Sequence, residues 1–147
     1  MGVSVNSQPG LEAPISAEEV EHVADRAFRV RGRNLAELLE KAAQALVALD
    51  EEAPLSEHFV RQVIEVDGSD RETLLVNWLN EILYLEQTHH EFYDHFLLSD
   101  VTENHFCAQL YGRQLDHSVT SLKAVTFHNL EVKESSEGLE ATVVVDV

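Results

Sequence analysis

Hydrophobic and polar positions follow two different periods along this chain, and the changes of period mark its elements. From Leu35 onward, apolar residues fall three and four apart, at Leu35, Leu38, Leu39, Ala42, Ala43, Leu46 and Leu49. That spacing gives a helix one apolar face. Gly32 breaks the strand before it, and Asn34 with Glu37 three residues on forms a loose capping box, so the helix is predicted to start after Asn34 and end near Asp50. A second helix is predicted from the capping box of Ser69 with Glu72 and the broad stripe Leu74, Leu75, Trp78, Leu79, Ile82, Leu83 and Leu85. Its polar remainder includes Asn77, Asn80 and Glu81, and a central asparagine there reads as solvated or locally hydrogen-bonded.

Elsewhere the pattern alternates. Strands are predicted at 27–31, 59–66, 96–99, 105–111, 122–132 and 139–146. Thr102-Glu103-Asn104 and Ser135-Ser136-Glu137-Gly138 have the composition of hairpin turns, whereas Asp67-Gly68 closes a strand and feeds the second helix. Two amphipathic helices packed with a mostly antiparallel or mixed β-sheet make an α+β fold. A length of 147 residues suits one domain, here residues 15–147 behind a flexible leader at 1–14 that carries Gly2, Ser4, Ser7, Pro9, Gly10 and Pro14 without any period.

Charge narrows the function classes. With 27 acidic against 10 basic residues, a net charge of −17 repels a phosphate backbone, so tight direct nucleic-acid binding is not expected. The excess suits a divalent cation, a basic protein surface, or solubility alone. No run reaches the ~18 apolar residues of a membrane span and no basic region precedes an apolar one, which predicts a soluble cytoplasmic protein without a membrane partner. The lone cysteine, Cys107, alternates with Phe106 and Ala108 and reads as a small strand residue, not a nucleophile. The chain has no GxGxxG, P-loop, GxSxG, CxxC or HExxH motif, which leaves little basis for an autonomous catalyst.

Three short constellations remain. Glu21-His22-Val23-Ala24-Asp25 places a carboxylate three residues after an imidazole, though spacing alone reads it as a surface loop. In Lys123-Ala124-Val125-Thr126-Phe127-His128, an unbroken strand sends Lys123 and His128 to opposite faces. The final run, Val143-Val144-Val145-Asp146-Val147, reads as a docked strand that ends with a side-chain and a terminal carboxylate side by side, and such a pair calls for a cation or a basic partner. Its oxygen donors suit Ca²⁺ or Mg²⁺. Zinc prefers His and Cys groupings, and His89-His90 with His95 reads as a helix-end cluster rather than a site. The residues leave open a stand-alone metal-dependent hydrolase of RNA or nucleotides with His22 or His128 as general base, and an acidic chaperone-like binding module.

Taken in order and joined by these helices, the pieces resemble archease, the small partner protein of RtcB-type RNA ligases, over residues 18–147. The resemblance rests on the Glu21–Asp25 loop and on Gly32, Leu35, Glu37, Leu38, Ala42, Ala43 and Ala45-Leu46. It continues through Leu74-Leu75-Val76-Asn77-Trp78-Leu79-Asn80-Glu81-Ile82-Leu83-Tyr84-Leu85, the Lys123–His128 segment and Val145-Asp146-Val147. It implies a protein that is not itself an enzyme and promotes guanylylation and multiple turnover of the ligase in tRNA splicing or RNA repair. It also implies a divalent metal held by Asp25, Asp146 and the backbone of Val147, with His22, Lys123 and His128 facing the partner or the site. The chain departs from the family pattern in Val23 where Thr is usual, Asn77 for a common Asp, Ser121-Leu122 where Glu-Val is frequent, and Arg113 where an acidic residue is usual.

Overall fold

Both helices begin in the same way, and these two starts organise the molecule. The structure, a computed structural model, describes residues 25–49, 55–116 and 122–147. Strand β1 (Asp25–Gly32) runs into helix α1 (Leu35–Ala48) through Asn34, whose side-chain oxygen accepts from the Glu37 N–H at 2.9 Å. Strand β2 (Leu55–Asp67) runs into helix α2 (Arg71–His89) through Asp70, whose carboxylate accepts from the Thr73 N–H at 2.8 Å. Gly32 and Gly68 each stand two residues before the cap, and a Cβ there would lie 2.4 Å from the Leu38 nitrogen and 2.5 Å from the Leu74 nitrogen. Each strand thus passes directly over the first turn of the helix it feeds, at a distance only glycine permits. The cap of α2 is Asp70, not the expected Ser69. Both residue types are good caps, and Glu72 is engaged elsewhere, accepting from the Val132 N–H at 2.8 Å.

The remaining strands are β3 (Glu91–Ser99), β4 (His105–Leu115), β5 (Ala124–Thr126), β6 (Lys133–Ser135) and β7 (Gly138–Asp146). One sheet has the order β1-β7-β5, with β6 also on β7, and the other has the order β2-β4-β3. Every pairing among the described residues is antiparallel, in keeping with the predicted α+β class. Helix α1 packs on β1 and β3, and α2 on β2, β3 and β5, so both helices bridge the two sheets. That position explains why α2 buries residues on more than one face, from Leu74 and Val76 to Leu85. At the centre lies Trp78, fully buried, with the edges of its neighbours Phe96 and Phe106 at 5.8 and 5.2 Å between ring centroids. Its indole N–H donates to the Leu39 carbonyl of α1 at 2.9 Å, which ties the two helices together.

Two expectations about strands need correction. Residues 122–132 do not form one strand: β5 ends at Thr126 and a turn follows, in which the Leu130 N–H donates to the Phe127 carbonyl at 3.0 Å and Asn129 takes a left-handed φ of 51°. Strand β3 begins at Glu91, not at Phe96. A register shift between Tyr93 and His95 breaks its alternation, and Glu91 is buried, accepting from Gln62 Nε2 at 3.0 Å and from the Tyr93 hydroxyl. Burial, and then the hydrogen bond to Glu91, push the Tyr93 phenol well above its usual range. No helix among the described residues is long and apolar enough to cross a membrane.

Candidate functional site

Strand β1 starts where β7 ends. Their register sets Asp25 directly opposite Asp146, and pairs Arg26 with Val145 and Ala27 with Val144. Val143 and Val145 of β7 are fully buried and Val147 packs against the same core, so alternation turns Asp146 to the other face with Glu140, Thr142 and Val144. The two acidic residues on that face of β7 have different surroundings. Glu140 is paired with Arg29 at 3.6 Å and Arg31 at 2.8 Å, whereas none of the ion pairs among the described residues includes Asp146. Like charges directly opposite across two strands destabilise a sheet, by about 0.2–1 kcal/mol. A pair of aspartates set in this way has the donor chemistry of a hard divalent cation such as Ca²⁺ or Mg²⁺.

On its other side β7 is flanked by β5, with Ala124 opposite Asp146, and the Lys123 N–H donates to the Asp146 carbonyl at 2.8 Å. Lys123 is exposed. Asp25, Lys123, Asp146 and Val147 are therefore gathered at one end of this sheet. His128 is not among them: it lies past the opposite end of β5 in the exposed turn, where its N–H donates to Thr126 Oγ1 at 3.2 Å and its Nε2 faces Asn129 Nδ2 at 3.2 Å. The opposite-face comparison of Lys123 with His128 thus has no strand to rest on. His22 lies outside the described residues, as does the leader at 1–14.

Sequence reasoning missed what holds β5 in place. Asn80 of α2 accepts from the Val125 N–H at 2.7 Å and donates to the Val125 carbonyl at 3.1 Å, pairing like a neighbouring strand. Gln87, two helical turns on, donates to the Leu122 carbonyl at 2.9 Å. Residues seven apart share a helix face, so Asn80 and Gln87 form a polar line on α2 that clamps the segment bearing Lys123. Asn77 makes a local bond, donating to the Asp67 carbonyl at 2.8 Å. The substitution Asn80→Asp keeps the shape and the acceptor but turns a second acceptor toward the Val125 carbonyl. It is expected to cost about 1–3 kcal/mol. Thermal unfolding should then show a Tm about 3–10 °C lower.

The histidines of the helix-end cluster are all exposed: His89 ends α2, His90 is its left-handed cap at φ 55°, and His95 lies on β3. Cys107 is a half-buried residue of β4. Burial pushes its thiol up, with Glu65 and Asp100 adding to the rise, so without a bound cation the thiol form is favoured over the thiolate.

Residues 18–147 match the model of the Archease protein family (MTH1598/TM1083). The chain is 32% identical over 140 residues to protein archease of Methanosarcina barkeri, covering 88% of this chain and 94% of the relative. To protein archease of Archaeoglobus fulgidus it is 34% identical over 139 residues, covering 87% and 96%. Its fold is similar to the crystal structure of an archease, described as a possible chaperone, from Thermotoga maritima, with a TM-score of 0.63 and 21% identity over 93% of this chain and 98% of the other. It is also similar to the solution structure of protein 1598 of Methanobacterium thermoautotrophicum, with a TM-score of 0.61 and 26% identity over 84% and 93%.

Proposed function

We propose that this chain, which belongs to the archease family, is an activator of an RtcB-type RNA ligase rather than an enzyme in its own right. In this reading it promotes guanylylation and multiple turnover of the ligase in tRNA splicing or RNA repair. The observation that carries the reading is the register of β1 on β7, which sets Asp25 opposite Asp146. Those two carboxylates, with the backbone of Val147, would hold a divalent cation, Ca²⁺ or Mg²⁺ by donor type. Bound there, a divalent cation supplies the positive charge that the facing aspartates lack.

Each neighbouring residue has a part in this reading. Val145 and Val147 anchor the end of β7 in the core, so that Asp146 is presented by a fixed strand. Lys123 stands exposed at the rim, held through its N–H by Asp146, and offers an ammonium to an anionic group of the partner. His128 faces the partner from the exposed turn after β5, and His22 is carried by the resemblance as a further partner- or site-facing residue. A net charge of −17 favours encounter with a basic ligase surface and opposes direct retention of RNA.

The test is a reconstitution of a cognate ligase with GTP and divalent metal, with and without this chain, scored for ligase–GMP. Faster formation and repeated turnover with the chain present are expected. An unchanged rate overturns the proposal. Release of product from RNA or a nucleotide by the purified chain alone would instead support the hydrolase reading.

A further inference from the structure

The outer face of the β2-β4-β3 sheet carries a second group of ligand-type side chains, on the other sheet from Asp25 and Asp146. His105 and Cys107 occupy alternate positions of β4 and therefore share a face. Across the strand pair, Asp67 stands opposite His105 and Glu65 opposite Cys107. His105 Nε2 lies 3.9 Å from Cys107 Sγ and 3.6 Å from Glu65 Oε1, and ligand atoms of the three residues all lie within 4.8 Å of one another. On its far side the imidazole is held by Asp67, whose carboxylate is 2.7 Å from Nδ1. A carboxylate accepts only, so the Nδ1 proton points to Asp67, and Nε2 is the ring nitrogen turned toward Cys107 and Glu65.

From this geometry we infer that Glu65, His105 and Cys107 form a binding site for a zinc-class divalent ion, with Asp67 as the residue that orients the histidine. Bonds of about 2.0–2.3 Å to nitrogen, oxygen and sulfur in a tetrahedron place the ligand atoms about 3.3–3.8 Å apart. The 3.6 Å from Nε2 to Glu65 Oε1 falls within that spacing, and the 3.9 Å to Cys107 Sγ is slightly wide of it. Glu65 is exposed, and a rotamer change of its side chain closes the remaining gap to the thiolate. A carboxylate–histidine–metal relay of this kind fixes the tautomer and raises the basicity of the ligating nitrogen. Three protein ligands leave the fourth position to water or to a group from a partner. The donor set, one sulfur, one imidazole nitrogen and one carboxylate oxygen, selects a borderline-soft ion and separates this site from the all-oxygen pair at Asp25 and Asp146. The inference does not depend on the ligase reading.

Cobalt(II) is the probe. Reduced protein is titrated with Co²⁺ in excess Mg²⁺, which occupies oxygen-only sites, and absorption is followed in the near ultraviolet and visible. One Co²⁺ per chain is expected, with a thiolate-to-cobalt charge-transfer band, intense tetrahedral d–d bands, and loss of both on adding Zn²⁺. Cys107→Ser should abolish the charge-transfer band and His105→Gln the tetrahedral spectrum, while Asp67→Asn should weaken binding about 10–100-fold with the spectrum retained. Asp146→Ala should leave the spectrum unchanged. These side chains lie on the outer face, so unchanged circular dichroism and Tm of the metal-free variants establish that they fold. Absence of a charge-transfer band at saturating Co²⁺, or a band that survives Cys107→Ser, overturns the inference.

Discussion

Asp25→Ala and Asp146→Ala are each expected to fold as the parent does and to lose its acceleration of ligase guanylylation by about tenfold or more, the lower end of what even an indirect support of a metal ligand supplies. The reason lies in the β1–β7 register, which sets the two residues opposite each other. In metal-free protein, removing either one takes a like charge from facing register positions, so Tm should hold or rise slightly, in line with the about 0.2–1 kcal/mol such a pairing costs. Unchanged or improved stability with lost activation distinguishes a site residue from a structural one. Glu140→Ala is the control: it removes an acidic residue from the same face of β7, one already paired with Arg29 and Arg31, and should leave activation intact. Full activation by both aspartate variants overturns the proposed role of the pair.

The largest effect on stability is expected at Trp78. Truncation of a fully buried tryptophan to alanine costs about 3–5 kcal/mol through lost burial and the cavity left behind. Here it also removes the edge contacts with Phe96 and Phe106 and leaves the Leu39 carbonyl without its indole donor. That carbonyl keeps its intrahelical bond within α1, so loss of the indole donor adds about 0.5–1.5 kcal/mol. Chemical denaturation should report the sum, and Tm should fall by about 10–20 °C. Trp78→Phe keeps an aromatic ring in the core but not the N–H, so it should retain most of the packing and lose the link to α1. A loss below about 2 kcal/mol for the alanine variant would contradict the placement of Trp78 at the centre of the core.

How much of this was legible in the sequence depended on whether local chemistry or long-range pairing decided the element. The Leu35–Leu49 and Leu74–Leu85 stripes announce both helices, because one face of each is buried at the helical period. Asn34 as a cap follows from its side chain, but Asp70 outcompetes Ser69, a contest between neighbouring residues that are equally able to cap. The irregularity at Tyr93 to His95 and the buried Glu91 disguise the alternation of β3 before Phe96. The apolar Phe127, Leu130 and Val132 give the segment after β5 the pattern of a strand, although the left-handed Asn129 turns the chain there.

The site shows the same division. Asp146 stands out through its terminal apolar strand and Asp25 through a family motif that implies the two as a pair, and the register of β1 on β7 sets the two residues opposite each other. Asn80 has the local pattern of a solvated residue on the rim of a helical stripe, because its partner Val125 lies 45 residues on in the chain and only the packing of α2 on β5 brings them together. His105 and Cys107 carried a usable local signal, a histidine and a cysteine two apart in an alternating run. The contribution of Glu65 and Asp67 becomes visible only when β2 is laid against β4.

Calorimetric titration of Ca²⁺ into the parent chain, Asp25→Ala, Asp146→Ala and the double variant probes the facing pair directly. If both carboxylates hold one ion, either single substitution abolishes the tightest site and the double variant binds no more weakly than the singles, the non-additivity of residues that act as a unit. Parent-like affinity in either single variant, or losses that add independently in the double variant, would contradict a shared site at Asp25 and Asp146.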